Sequence, residues 1–307
     1  MARTFREVCL AVQARVPLAP ALLAADWVQG SYNQICGRKR WSWLRGESEF
    51  ILSAVNSGTL TVVHGSATVT GVGITFAAAD ALRQFRISGP PYTILSVDLV
   101  LNTALLDRVY GGASAAASTG YVFDGYVTMP ADFGSFIAVL DPTREDILDW
   151  WMTEDQLNAT DPNRSETGDP RALASRRPAT ATSIIGRMQY EAWPYWVGST
   201  TRPYRYYYSK RPATLTDDDY FVGPLRHRDD ILILAAIEEA IEWPGPSLDK
   251  PNPYARDLRL AVRKAEKLER ELLHLEREDE ETYMTWLETV PWNLRRTVSG
   301  RDYRSHE

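Results

Sequence analysis

The four histidines, His64, His227, His274 and His306, stand far apart with no second ligand at a useful spacing, so a zinc site, which needs several converging N or S donors, is not expected. No P-loop, dinucleotide-binding glycine pattern or G-x-S-x-G elbow occurs. Asp217, Asp218 and Asp219 are the kind of acidic run a hard cation uses, but their place in a polar turn between a strand and a helix reads as solvated. Glu278, Asp279, Glu280 and Glu281 fall around all sides of a helix instead of converging. No acid is paired with a second carboxylate in a recognisable hydrolytic context. The residues therefore give no catalytic, cofactor or metal site, and the expectation is a protein that is not an enzyme.

Two basic segments and the aromatics remain. Arg38, Lys39 and Arg40 precede Trp41 and Trp43, a pairing that can contact phosphates and stack on bases; cations at a helix C-terminus also simply offset its dipole, the simpler reading. The carboxyl tail WNLRRTVSGRDYRSHE lacks an amphipathic period and gathers Trp292, Leu294, Arg295, Arg296, Arg301, Tyr303 and Arg304, residue types enriched at interface anchors. Ten tryptophans and fifteen tyrosines also permit sugar stacking, with YEAWPYW and RYYYSKR as the places to look.

The elements that must position these residues follow from periodicity. Phe5, Val8, Cys9, Val12 and Val16 recur at helical steps over 4–16, and a second helix runs from Pro20 to Gly37. GTLTVVHGSATVTGVGITF alternates with period two about a turn at His64, Gly65 and Ser66, which predicts a β-hairpin. RQFRISG, PYTILSVDLVL, GYVFDGYVTM and SFIAVLDP read as further strands, and GGASAAASTG as a mobile loop. EDILDWWMTEDQLNATDP reads as a short helix, 163–182 as an extended loop, and SIIGRMQYEAWPYW with RPYRYYYSKRP as a strand pair. Asp229 and Asp230 stand at the start of a helix over 229–243. A charged helix over 254–290, on the order of 55 Å long, carries Leu268, Leu272, Leu275 and Trp286 on one apolar stripe and is longer than a small domain is wide, so something outside its own subunit is expected to cover part of it.

The expected fold is thus α+β: a helical bundle, made of an N-terminal helix pair and two C-terminal helices of which the last is long and projecting, with an inserted β-rich domain. The expected divisions are 1–46, 47–228, 229–290 and an extended tail over 291–307. With 307 residues, 44% hydrophobic and 24% charged, the chain has the composition of a globular protein. A net charge of −6 gives no global basic face for duplex DNA. Cys9 and Cys36 are expected as buried free thiols. The amino terminus has no signal-peptide core, and no run of ~20 apolar residues occurs, so no membrane partner is expected and assembly is placed in cytoplasm.

One further reading rests on order. An amino-terminal helical pair, RWSWL, GTLTVVHGSATVTGVGITF, RQFRISG, PYTILSVDLVL, TMPADFGSFIAVLDPT, TGDPRAL, YYYSKRPATLTDDDY and ILILAAIEEAIEWPG, followed by a long charged helix, together resemble the head-to-tail adaptor proteins of the tailed-bacteriophage neck, over about residues 5 to 285. The resemblance implies a structural virion protein: a dodecameric ring beneath the portal protein that connects the capsid to the tail and leaves a lumen through which double-stranded DNA passes without specific binding. It also implies that the carboxyl end over 291–307 is a docking tail seated on the portal, that a neighbouring copy in the ring is what covers part of the long helix's apolar stripe, and that a stopper or tail-terminator protein is the tail-side partner. The tail itself matches no motif of that family. A stopper or tail-tube connector is the alternative within the neck, and a virion glycan-binding protein the alternative from another class.

Overall fold

In a computed structural model of the chain, the structure describes residues 2–87, 89–176, 186–246, 252 and 258–289, with the side chains of 258–262 and 281–289 outside the description. The helices are α1 (Phe5–Arg15), α2 (Ala21–Gly37), α3 (Glu154–Thr160), α4 (Asp229–Ala240) and α5 (Leu258–Thr289). The strands are β1 (Arg45–Leu52), β2 (Asn56–Val62), β3 (Thr68–Gly71), β4 (Gln84–Arg86), β5 (Tyr92–Asp98), β6 (Thr103–Leu106) and β7 (Ala115–Phe123). They continue as β8 (Tyr126–Thr128), β9 (Phe133–Asp141), β10 (Asp146–Ile147), β11 (Asp149–Thr153), β12 (Ala172–Ser175), β13 (Gln189–Trp193) and β14 (Arg202–Lys210).

These elements sort into two compact units, one comprising residues 1–46 and 209–307, the other Glu47–Tyr208. The expectation of a helical bundle with an inserted β-rich domain is corrected by this structure. Strand and helix hold near-equal shares, 33% and 30%, so neither is an accessory of the other. The β part closes a six-stranded barrel and builds cores of its own. Its period-two segments find each other rather than a helical surface, and closure removes the exposed edges a smaller sheet would leave.

The helical unit starts from a capping box. Thr4 N–H donates to Glu7 Oε2 at 2.8 Å and the Thr4 hydroxyl accepts from Glu7 N–H at 3.4 Å, satisfying two donors that a helix start leaves open. Asp229 and Asp230 occupy the first turn of α4, after Arg228 at the cap position. The core gathers Val8 and Val12 of α1, Trp27, Val28, Tyr32 and Ile35 of α2, Ile231, Leu232 and Ala236 of α4, and Leu268, Leu272 and Leu275 of α5. Phe221 and Leu225 join it, which is why the chain after Tyr208 belongs with the helices. Cys9 and Cys36 are buried free thiols, pushed by burial to about 11 and about 12, so neither is a nucleophile near neutral pH.

In the β unit the barrel order is β2-β3-β6-β5-β4-β7, every pair antiparallel, around Leu60, Val62, Val69, Phe85, Ile94, Leu106 and Val122. Two four-stranded sheets, β1-β14-β9-β10 and β11-β12-β13-β8, enclose a second core of Phe50, Phe133, Phe136, Leu173, Tyr190, Tyr204, Tyr206 and Tyr208.

Four local expectations are corrected here. The tract read as a mobile loop enters β7 at Ala115, because its small residues sit against β2 in register from Asn56↔Val122 to Val62↔Ala115. The segment read as one helix begins as β10 and β11, and only Glu154–Thr160 is helical, opened by Thr153 whose hydroxyl accepts from Gln156 N–H. The segment read as an extended loop contains β12, three of whose four residues are buried. The two strands read as a pair lie in different sheets: β13 pairs with β12 and β8, while β14 stands between β1 and β9.

Candidate functional site

The β5–β6 hairpin turns through Leu99, Val100 and Leu101, three consecutive apolar residues that are 60%, 93% and 67% exposed. Their exposure is built in. The Asp98 carboxylate accepts the N–H groups of Val100 and Leu101 at 2.9 and 3.0 Å. Asn102 takes a left-handed backbone, φ 51°, a conformation asparagine tolerates. Its amide donates to the carbonyls of Gly71 and Ile74 at 3.1 and 2.8 Å, and its side-chain oxygen accepts from Phe76 N–H at 2.9 Å. The hairpin tip is thereby tied to the loop after β3, whose Val72 is also exposed. Leu95 and Leu105 extend apolar surface along the same hairpin.

Single exposed apolar residues are ordinary on a protein surface; three in a row held in place by their turn form the kind of surface another macromolecule can cover. The turn's own donors at 100 and 101 are already satisfied, so a partner can cover the tip without stranding them. The sequence reading folded this segment into a strand and missed it. Its signal was present: three apolar residues in a row break strict alternation, and Asp98 and Asn102 bracket them with turn chemistry.

The residues singled out from sequence are placed as follows. Leu268, Leu272 and Leu275 are buried in the helical unit's own core, where α5 packs on α4 and on the turn at Ser42–Leu44, so this part of the stripe expected to need a neighbouring copy is covered within the chain. Trp286 lies in α5, with its side chain outside the described residues. Trp292, Leu294, Arg295, Arg296, Arg301, Tyr303 and Arg304 lie outside the described residues, as does His306.

The basic segment after α2 is a clamp on α5. Arg38 bonds Glu269 at 2.7 Å and Glu276 more closely. The Glu269 hydrogen bond raises the Arg38 pKa, and Arg38 in turn holds the Glu269 carboxyl below its ordinary value. Lys39 donates to the Glu276 carbonyl at 2.9 Å, pairs with Asp279 at 3.4 Å and lies over the Trp41 ring. Asp279, expected on a helix surface, is buried and accepts Ser42 N–H at 2.8 Å. Charges so engaged are not a phosphate-binding patch.

The acidic turn also has a structural use. The Asp219 carboxylate accepts from Thr216 N–H and hydroxyl at 2.7 and 2.8 Å, while the Asp219 and Asp217 carbonyls accept the Phe5 and Arg6 N–H groups that open α1. Among the described residues no group of three His, Cys, Asp or Glu is placed to hold a metal. Of the aromatic runs considered for sugar stacking, Tyr190, Tyr195, Tyr206 and Tyr208 are buried and Trp193, Trp196 and Tyr207 half-buried, with Phe133 stacked on Tyr208 at 5.5 Å.

A buried polar cluster joins the end of α3 to β13. Arg164 donates to Glu191 at 2.6 Å, to the Asp161 carbonyl at 2.6 Å and to Asn158 at 2.6 Å, and the Tyr195 hydroxyl donates to Glu191 at 2.5 Å. Burial, then the Glu191 charge, pushes the Tyr195 phenol far upward. Arg164, Asp161, Glu191 and Tyr195 are buried and hydrogen-bonded, with exposed Asn158 at the solvent edge, which makes the cluster a brace for the 161–171 segment.

Comparison with known proteins adds no identity: no protein-family model matches the chain, and no curated protein matches it significantly.

Proposed function

We propose that the protein is a structural, non-enzymatic component of a tailed-phage neck, a head-to-tail adaptor whose copies form a dodecameric ring beneath the portal and link the capsid to the tail. The observation that carries this reading is the locked apolar tip at Leu99, Val100 and Leu101, a preformed protein-docking element. The order of sequence segments supplies the family resemblance. The net charge of −6 and the engagement of Arg38 and Lys39 within the chain suit a wall past which DNA moves, because phosphate contacts dominate non-specific affinity. The site of action is the virion, after assembly in the host cytoplasm.

A second reading, a stopper or tail-tube connector, is favoured by one finding: the β unit closes a complete barrel with its own core and is as substantial as the helices. The two readings differ in what the chain binds. The test is the mass of the purified full-length protein by light scattering, alone, with the portal and with the tail-side protein, for the native chain and for Val100→Asp. Val100 is almost wholly exposed, so the substitution should leave stability within about 0.5 kcal/mol while abolishing whichever complex the tip makes. Twelve copies on the portal establish the adaptor; assembly only with the tail-side protein establishes the connector; no complex with either ends both readings.

A further inference from the structure

Between α2 and α4 of the helical unit lies a cavity of about 670 Å3 walled by two indoles and three carboxylates: Trp27, Trp243, Glu238, Glu239 and Glu242. The indoles meet edge to face, ring centroids 5.8 Å apart. Ser31 Oγ donates to Glu239 at 3.3 Å, and burial, with Glu238 and Glu242 close by, raises the Glu239 carboxyl above its ordinary value. Among the described residues that line the cavity none is basic. Three carboxylates therefore crowd an aromatic-walled space whose described lining supplies no compensating charge. A guanidinium fits that chemistry best, because its plane stacks on an indole while its fixed fork of donors meets carboxylate oxygens.

The chain carries such groups beyond α5, where Arg295 and Arg296 follow Trp292 and Leu294. The described part of α5 carries the chain away from the cavity of its own copy. The cavity takes Leu23, Trp27 and Gln34 of α2; past the C-terminal end of that helix Arg38 meets Glu269 and Glu276, then Ser42 meets Asp279. Partners thus climb α5 toward its C-terminus while moving away from the cavity. Arg228, at the far end of α4 from the cavity, likewise reaches Glu271 and Glu278. The end of α5 at Thr289 is then about 40 Å from the cavity at 1.5 Å per helical residue. Six or seven extended residues past Thr289 span only about 20 to 25 Å.

We infer that Arg295 and Arg296 of a second copy of the chain seat in the cavity lined by Trp27, Trp243, Glu238 and Glu242. Each copy then gives one tail and receives one, the heterologous contact from which closed rings are built. This moves the tail from the portal, where the sequence reading set it, to the neighbouring copy.

The experiment contains only this chain, so its outcome is independent of portal or tail-protein binding. A fluorescein-labelled peptide of residues 290–300 is titrated into the full-length protein and followed by anisotropy. The expected result is saturable binding that weakens about tenfold or more when the protein carries Glu238→Lys with Glu242→Lys, or the peptide Arg295→Glu with Arg296→Glu, and recovers when both reversals are combined. Glu238→Gln with Glu242→Gln serves if the lysine variant loses its thermal transition. Absence of binding, or binding indifferent to the reversals, overturns the inference. Full-length protein carrying Arg295→Glu with Arg296→Glu should bind the native peptide no more tightly than the native chain does in dilute solution; a tighter affinity would show that each copy fills its own cavity and would overturn the two-copy arrangement.

Discussion

Asp161 shows how one carboxylate carries a segment that its composition alone would leave loose. It is 5% exposed and accepts N–H groups from Ser165 at 2.8 Å, Glu166 at 2.9 Å and the Trp193 indole at 3.2 Å. Burial by itself would raise its pKa; the bonds from Glu166, Ser165 and Trp193 outweigh that and hold it below 3.8. A carboxyl whose folded pKa is depressed contributes stability that is complete above the unfolded value and fades as pH falls through the lower folded one. The β unit should therefore lose stability as pH drops below about 4. Asp161→Asn should lower the urea midpoint at neutral pH and flatten its acid limb; parallel pH profiles for the two proteins would show that Asp161 titrates alike in the folded and unfolded states.

At the scale of the element, barrel closure depends on two places where backbone meets packed atoms. A Cβ on Gly58 would stand 2.5 Å from the Gly73 carbonyl oxygen and 2.7 Å from its carbon, and a Cβ on Gly120 2.7 Å from Leu60 Cδ2. The first obstacle is backbone and cannot rotate away; the second is the end of a side chain. Gly58→Ala should cost about 3 kcal/mol and Gly120→Ala about 1 to 2, within the range for overpacking, read from chemical denaturation; equal costs would mean that β2 and its facing loop move together.

The same elements explain what the sequence could and could not convey. The hairpin of β2 and β3 was legible because Leu60, Val62 and Val69 alternate with polar neighbours about a Gly65 turn. Barrel closure was not, because β2 pairs with β7, a partner about sixty positions on whose Ala115, Ala116 and Ala117 carry too little apolar surface to announce a strand. Trp150 and Trp151 were absorbed into a helix that begins only at Glu154, since two adjacent aromatics before a helical run fit either period. Of the candidate site, Asp98 and Asn102 were visible as turn formers, but their joint hold on the tip is a tertiary arrangement reaching Gly71 and Phe76.

For the whole molecule, separate cores imply separate cooperativity. The helical core runs from Phe5 to Leu275 and the barrel core from Leu60 to Val122, each drawn from one compact unit. The α5 helix is held to its unit by buried Leu268, Leu272 and Leu275 together with partly exposed ion pairs of Arg38 and Arg228. Pairs of that exposure give at most about 1 kcal/mol each and weaken with salt, whereas truncating a fully buried leucine costs about 2 to 5. The leucines should therefore dominate the helical unit's stability. Heat unfolding by calorimetry should show an enthalpy larger than its van't Hoff value, as two transitions require. Leu275→Ala should lower one transition and Ile94→Ala the other, with added salt shifting the Leu275 transition only slightly. If both substitutions instead lowered a single two-state transition, the two units would fold as one cooperative body, and the division of labour between a helical and a barrel part would have to be sought in surfaces alone.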